Sequence, residues 1–472
     1  MARPTAQAPA GDAERSPSDG ASRWTGALLG LTALAVPLLF VPVAQDAFAL
    51  PRLVALYVLV PLALAGPLVM LVLEPGGLRS ALRWPDVAAV ALGLLAVGAW
   101  LLAPDRGHDL QGEPLQYQGL LALLLYLAAY AAARFALRDT RSVRRLLGLV
   151  AVAGAVTSAY AIIQQLRLDP IWHGLDKGRV FGTLGQANAL AAYLDLALPA
   201  AMALALVSRG IWRAAAAGAA ILVLTALLLT YSRGGYLGAA AEVAVVLVVL
   251  GARRWRARLG GTGPVHRRPL AIGILGAAIV VLALAAIPAT RGVAARAAER
   301  AISSADLQEG SIADRLDLWA VGVRISLDHP LLGTGPDSYA LEFPRYRDVV
   351  LPPGRAAFLA RFRPESPHDV YLAYADGLGL PALAAYLALA AGALVAVWRA
   401  VRRAVRRADG AVLVLSLAIG SALLGHLVTD AFMTAELAGS WLFWVLLGVA
   451  VGLPGLAGGR TAREAGGAGT PR

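Results

Sequence analysis

Four side chains in this 472-residue sequence are of a type and setting that suit chemistry: Arg179, Arg233, Arg315 and His368. Arg233 stands in Tyr231-Ser232-Arg233-Gly234-Gly235-Tyr236, between two apolar runs, where a charge is costly unless it faces water or an anion. A guanidinium can fork two phosphate oxygens, and paired glycines let the backbone approach them. The plain alternative is an arginine snorkelling to lipid headgroups beside a glycine turn. Arg179-Val180-Phe181-Gly182-Thr183, with Asn188 opening the next apolar run, repeats the pairing of arginine and glycine turn, although Asn188 also suits a helix cap. Arg315, flanked by Asp314 and Asp317 and four residues before Trp319, reads either as a third anion contact or as a surface ion pair on an amphipathic helix. His368 opens an apolar run between Pro367 and Asp369. An imidazole titrates near neutral pH and suits a base that takes a proton from a hydroxyl, but a histidine at a helix start is as readily structural.

These residues need a scaffold, and the composition says what it is. With 58% of residues hydrophobic and 15% charged, the chain is too apolar for a soluble globular protein. It reads as all-α, a polytopic transmembrane helical bundle. About twelve runs are long enough to cross a bilayer: 24–44, 53–73, 85–103, 117–137, 146–166, 188–207, 214–230, 236–251, 270–288, 369–397, 411–431 and 438–453. The domain plan is a disordered cytoplasmic tail over 1–23, about nine spans within 24–288, a long polar loop over 289–368, about three spans within 369–453, and a flexible tail over 454–472. Two short amphipathic helices are expected in the long loop. The formal charge of +12 sits in clusters between apolar runs, so the lipid bilayer is the expected partner and nucleic acid is not. With zero cysteines there are no disulfides, thiolate nucleophiles or cysteine metal sites.

Orientation follows from the arginines. Arg79 and Arg83, Arg138 to Arg145, Arg209 and Arg213, Arg253 to Arg268 and Arg399 to Arg407 fall in alternate short loops, which the positive-inside rule retains in the cytoplasm. Both termini are then cytoplasmic. Residues 104–116, 167–187, 231–235 and the long loop share the outer face.

There is no Asp-x-Asp, His-Glu-x-x-His, Gly-x-Ser-x-Gly or P-loop, so no metal site or cofactor is expected. Gly333-Thr334-Gly335 reads as a turn. Asp195, Glu242, Asp376, His426 and Asp430 lie within apolar runs, where ionisable groups mark a pathway or a buried partner. They support a rival reading, a proton-coupled transporter or lipid-linked glycan flippase. A membrane scaffold for envelope assembly is a third.

Taken together, the chain resembles the O-antigen ligase and polymerase superfamily of bacterial inner membranes, which includes protein O-oligosaccharyltransferases. The matching segments are Arg179-Val-Phe-Gly-Thr-Leu-Gly-Gln-Ala-Asn188, Tyr231-Ser-Arg-Gly-Gly235, Arg315-Leu-Asp-Leu-Trp319, His329-Pro-Leu-Leu-Gly-Thr-Gly-Pro336, and Pro367-His-Asp-Val-Tyr-Leu372 with Asp376-Gly-Leu-Gly379. The chain departs from the family's frequent His-Asn and Glu at Asp369 and Asp376. The resemblance implies a glycosyltransferase of the inner membrane. It would move a glycan from an undecaprenyl-diphosphate carrier to a hydroxyl of a lipid, glycan or protein acceptor on the outer face, inverting and without metal. It further implies that Arg233 and Arg315 hold the diphosphate, Arg179 assists and His368 activates the acceptor. Asn188, Tyr231, Ser232, Gly234, Trp319 and Asp376 would complete the surface for diphosphate and glycan.

Overall fold

The computed structural model describes residues 17–73, 76, 81–172, 175, 178–258 and 310–456. These form helices and no strand. The bundle comprises α1 (Pro17–Leu38), α2 (Ala49–Leu73), α3 (Trp84–Leu102), the short α4 (Arg106–Gln111), α5 (Leu120–Ala136), α6 (Thr140–Gln165), α7 (Ala187–Val207), α8 (Gly210–Leu229) and α9 (Arg233–Arg258). The long loop contributes α10 (Gly310–Asp328), α11 (Tyr339–Val350) and α12 (Pro353–Leu359). The chain then re-enters the bundle through α13 (Val370–Leu378), α14 (Leu380–Arg406), α15 (Gly410–Asp430) and α16 (Leu437–Leu456).

Eight of these helices are long and apolar enough to cross a membrane: α2, α3, α6, α7, α8, α14, α15 and α16; α5 is a shorter apolar helix. The protein is thus a multi-pass helical membrane protein. Helix α1 covers 24–38 of the expected span 24–44 and α9 covers 236–251, and they pack against α2 and α15. The expected span 270–288, the 289–309 part of the long loop and the C-terminal tail lie outside the described residues.

Helix α16 is apolar on every side, as a helix must be that is surrounded by others. Its Trp441, Phe443, Trp444, Leu446 and Val449 are all buried, against α5, α7, α14 and α15. Gly448 lets it close on α5, since a Cβ there would sit 3.0 Å from the Arg134 backbone nitrogen. On the rim, Val54, Val58, Leu62 and Val72 of α2 and Val87, Val90 and Leu94 of α3 stay exposed, which is the face hydrocarbon requires.

Two expectations change. The run 369–397 is not one helix: it breaks at Gly379, whose φ of 89° is open to glycine. The loop before α11 fills the break. Thr334 N–H donates to Asp376 O (2.9 Å), Gly335 N–H to Gly377 O (2.9 Å) and Leu380 N–H to Pro330 O (2.8 Å). Gly333-Thr334-Gly335, expected as a plain turn, therefore latches the long loop to the α13–α14 junction. The loop also holds three helices rather than two, packed on a core of their own made by Leu318, Val321, Ile325, Tyr339, Phe343, Leu351 and Leu359.

Candidate active site at one end of the bundle

The polar stretches expected on one face do meet at one end of the bundle. Arg233 begins α9, immediately after a tight turn in which Tyr231 holds a left-handed φ of 47°. A non-glycine residue there is strained and persists only where its surroundings impose it. The turn is tied by Ser232 N–H to Thr230 Oγ1 (3.2 Å) and by Gly235 N–H to Ser232 Oγ (3.4 Å). Gly234 and Gly235 were expected to admit a phosphate. Their open sides instead meet protein, Met433 for Gly234 and Ala191 for Gly235, so these glycines seat the start of α9 against α7 and the 431–436 turn.

Arg179 braces that turn. Its Nε donates to Thr230 O (2.6 Å) and its Nη2 to Asn188 Oδ1 (2.6 Å). Asn188 is accordingly not the cap of α7, which is Gln186. The 179–186 segment is clamped from behind, with Phe181 and Gly182 N–H groups on Gln164 Oε1. Arg52, buried in α2, donates to the carbonyls of Thr183 and Leu184. Nothing in the Arg52 neighbourhood of the sequence singled it out; only its contacts give it a role. Its charge also reaches half-buried Glu436, whose carboxyl desolvation pushes up to about 7 while Arg52 pulls it back.

Arg315 lies one turn into α10. The Asp314 and Asp317 that flank it, expected as its ion-pair partners, are both taken by Arg355 of α12 at 2.6 Å each. Arg315 instead faces Arg233: burial, and then the charge of Arg233, hold its pKa below the ordinary guanidinium value. Two cations in each other's field within a partly buried site are arranged for an anion. Trp319, one turn on, lies tilted against Phe432 at 6.3 Å, and its buried indole N–H has no partner among the described residues.

His368 completes the group from the other end of the loop. It too has a left-handed φ, 54°. Its backbone N–H donates to Ser366 Oγ (3.3 Å), its Nδ1 is 2.9 Å from Thr434 Oγ1, and Thr434 is 2.6 Å from Ser366 Oγ. Asp369 directly behind it caps α13, accepting from Leu372 N–H (3.0 Å). Burial, then the charge of Arg315, pushes the imidazole down to about 4, so at neutral pH the ring is uncharged.

Asp376, near the end of α13, is 2% exposed, with Oδ2 against α10 at Gly322, three residues beyond Trp319. Deeper still, Thr429 Oγ1 donates to Asp195 Oδ2 (2.7 Å) and reaches Gly234 O (3.3 Å), which ties a buried acid to the residue after Arg233. His426 Nε2 is 3.4 Å from Asp430 Oδ1, beside a cavity of about 80 Å³ walled by Tyr126, Tyr374, Tyr386 and Trp444. Among the described residues no three His, Asp or Glu side chains come together as metal ligands.

A clasp from the 104–119 loop holds the long loop over the site. Glu113 N–H donates to Asp337 Oδ2 (2.8 Å), Gln116 Nε2 to Glu365 Oε2 (2.7 Å), and His108 bridges Asp109 (3.0 Å) and Glu113 (3.1 Å). Burial pushes Asp109 up to about 6 and Asp337 up to about 7, each partly offset by His108 or its bonds. Burial alone would lower His108, but its bonds to the two acids outweigh it and raise it.

Residues 217–387 match the family model described as O-antigen ligase. Over this segment the chain is similar to the O-antigen ligase family. The O-antigen ligase match runs from within α8 into the first part of α14 and contains Tyr231, Ser232, Arg233, Gly234, Arg315, Trp319, His368 and Asp376. Arg179 and Asn188, which brace the Arg233 turn, precede it. No curated protein matches the sequence.

Proposed function

We propose that this O-antigen ligase-type protein transfers a glycan from an undecaprenyl-diphosphate carrier to an acceptor hydroxyl at the outer face of the inner membrane. The observation that carries the reading is the succession of Arg233 beside Arg315 and of Arg315 beside a neutral, half-buried His368 at one end of a membrane bundle. With its hydrogen on Nδ1, donated to Thr434, His368 presents Nε2 as a base. The acceptor oxygen forms its bond to the anomeric carbon while the bond from that carbon to the diphosphate oxygen breaks. The hydroxyl proton passes to Nε2 and the electron pair leaves with the diphosphate, so the anomeric centre inverts. Charge grows on the leaving diphosphate in that step, and fixed guanidiniums lower the barrier where they meet it. Arg179, with Nε on Thr230 and Nη2 on Asn188, holds Arg233's turn in place.

The same geometry explains how a base of depressed pKa suits this reaction. The diphosphate offsets the field of Arg315 and Arg233, so donor binding raises His368 toward the ordinary imidazole value and prepares it for the acceptor.

The test is to incubate purified protein with lipid-linked glycan and candidate acceptors and to identify the product by mass. Product from wild type and none from His368→Ala, with the variant still folded and inserted, supports the reading. Undiminished transfer by His368→Ala removes the assignment of the base. Flux of lipid-linked glycan without bond formation would instead favour the flippase.

A further inference from the structure

A second basic site lies at the opposite end of the bundle from Arg233 and His368. Helix α3 runs away from the 104–119 clasp, and 19 residues at 1.5 Å each put its first residue about 28 Å from its last. Helix α14 starts at the latch by Gly379 and ends at Arg406, and α16 starts beside Glu436 and ends at Leu456. At this far end the three helices enclose a cleft of about 270 Å³, whose lining includes Arg83, Trp84, Val395, Arg399, Arg403 and Pro454.

The register of α14 makes the cleft. Residues 392, 395, 399 and 403 recur at helical spacing along one face, and Gly392 closes on the start of α3, with Trp84 and Pro85 where a Cβ would go. Arg403 is held by Nη1 on Pro454 O (2.8 Å), at the end of α16. Among the described residues no acid lines the cleft. Asp86, three residues after Arg83, faces inward, where it is engaged by Arg134 (3.3 Å) and by Tyr130 Oη (2.6 Å). Three guanidiniums therefore line a cleft whose described walls supply no negative charge.

The remaining walls say what kind of anion fits. Trp84 is half exposed at the mouth, the place an indole takes at a membrane-water boundary, and Val87 and Val395 are exposed beside it. A ligand with a charged head and an apolar tail satisfies both surfaces; a soluble anion satisfies only one. We propose that this cleft binds the phosphate of an anionic membrane phospholipid, with its acyl chains lying along α3 and α14. The site is independent of the glycan-transfer reading, because it shares no residue with it.

Native mass spectrometry of the purified full-length protein, titrated with phosphatidylglycerol and separately with phosphatidylcholine, tests this. An arginine in direct contact with the bound headgroup is expected to contribute about fivefold to the hold on an anionic lipid. The triple variant R83Q/R399Q/R403Q is expected to weaken phosphatidylglycerol binding roughly a hundredfold and to leave phosphatidylcholine unaffected. The variant R402Q/R406Q/R407Q removes the same charge outside the cleft and is expected to stay within about threefold of wild type. Equal weakening by both variants would mean diffuse charge and overturn the site. Displacement of phosphatidylglycerol by an equal concentration of inorganic phosphate would overturn the lipid assignment. Thermal unfolding checks that each variant is folded; should the triple variant fail, R399Q alone is expected to lose about fivefold.

Discussion

His368 must be uncharged to accept a proton and yet basic enough to take one from a hydroxyl. Burial and Arg315 secure the first by holding it at about 4. The expected consequence is a split pH profile. The acid limb of kcat/KM, which reports the free enzyme, falls near 4, and the limb of kcat at saturating donor lies higher, toward about 6. A shared limb near 6.5 in both profiles would contradict the coupling of donor charge to the imidazole. Removing the ring altogether, as in His368→Ala, is expected to lower kcat by about 10²- to 10⁴-fold. Arg233→Lys keeps the charge but loses the planar fork, so turnover is expected to fall roughly tenfold to a hundredfold in the same product assay. At this scale the sequence held the right candidates and the wrong partners. Arg315 beside Asp314 and Asp317 reads as a local ion pair, and only the approach of Arg355 from 38 residues away shows which side chain takes the two carboxylates.

At the level of elements, the Arg233 turn is held by groups that do no chemistry. Arg179 grips it from α7's side, and Thr429 on α15 links Asp195 to Gly234 O. Thr429→Val removes that hydroxyl and leaves Asp195 further unsatisfied in the interior. A loss of about 1 to 3 kcal/mol in unfolding free energy is expected, with recovery in Thr429→Ser. If the link positions Arg233, a double-mutant cycle between Thr429→Val and Arg233→Lys is non-additive in kcat; strict additivity would reduce the link to packing. The helix break is a second element-level feature. An apolar run of nearly thirty residues offers no cue to an interruption beyond Gly379 itself. The break is defined by the backbone bonds that Thr334, Gly335 and Pro330 supply from another segment.

For the whole molecule, the clasp makes loop attachment depend on pH. Asp109 and Asp337 have folded pKa values raised above those of an unfolded carboxyl, and His108 is raised as well. Groups raised on folding stabilise below their unfolded pKa and lose that contribution as pH climbs through the folded value. The clasp should therefore weaken as pH rises from about 4 to about 7, between the unfolded and folded carboxyl values. Limited proteolysis within 351–366 is expected to speed up over that window in wild type and to be less pH-dependent in Asp337→Asn. Because the chain has no cysteine, single-cysteine labelling has no background. With the site facing outward, Arg361→Cys should react with an impermeant reagent from outside and Arg407→Cys only from inside; the reverse pattern would place the site in the cytoplasm.

Much of this protein is set by local sequence. Apolar runs of spanning length specify helices, because in hydrocarbon the backbone has no other way to satisfy its own polar groups. Clusters of arginine alternate with those runs, and Arg233 and His368 each stand at the edge of one. Spacing along the chain carries no information on how such edges meet. It took the packing around α16 to bring residues 179, 233, 315 and 368 to one end, to turn Gly234 toward Met433, to bury Asp376 against α10 and to give Arg52 a role. Those are outcomes of long-range contacts, decided by which side chains fill the same space, and no period or motif in a single chain encodes them.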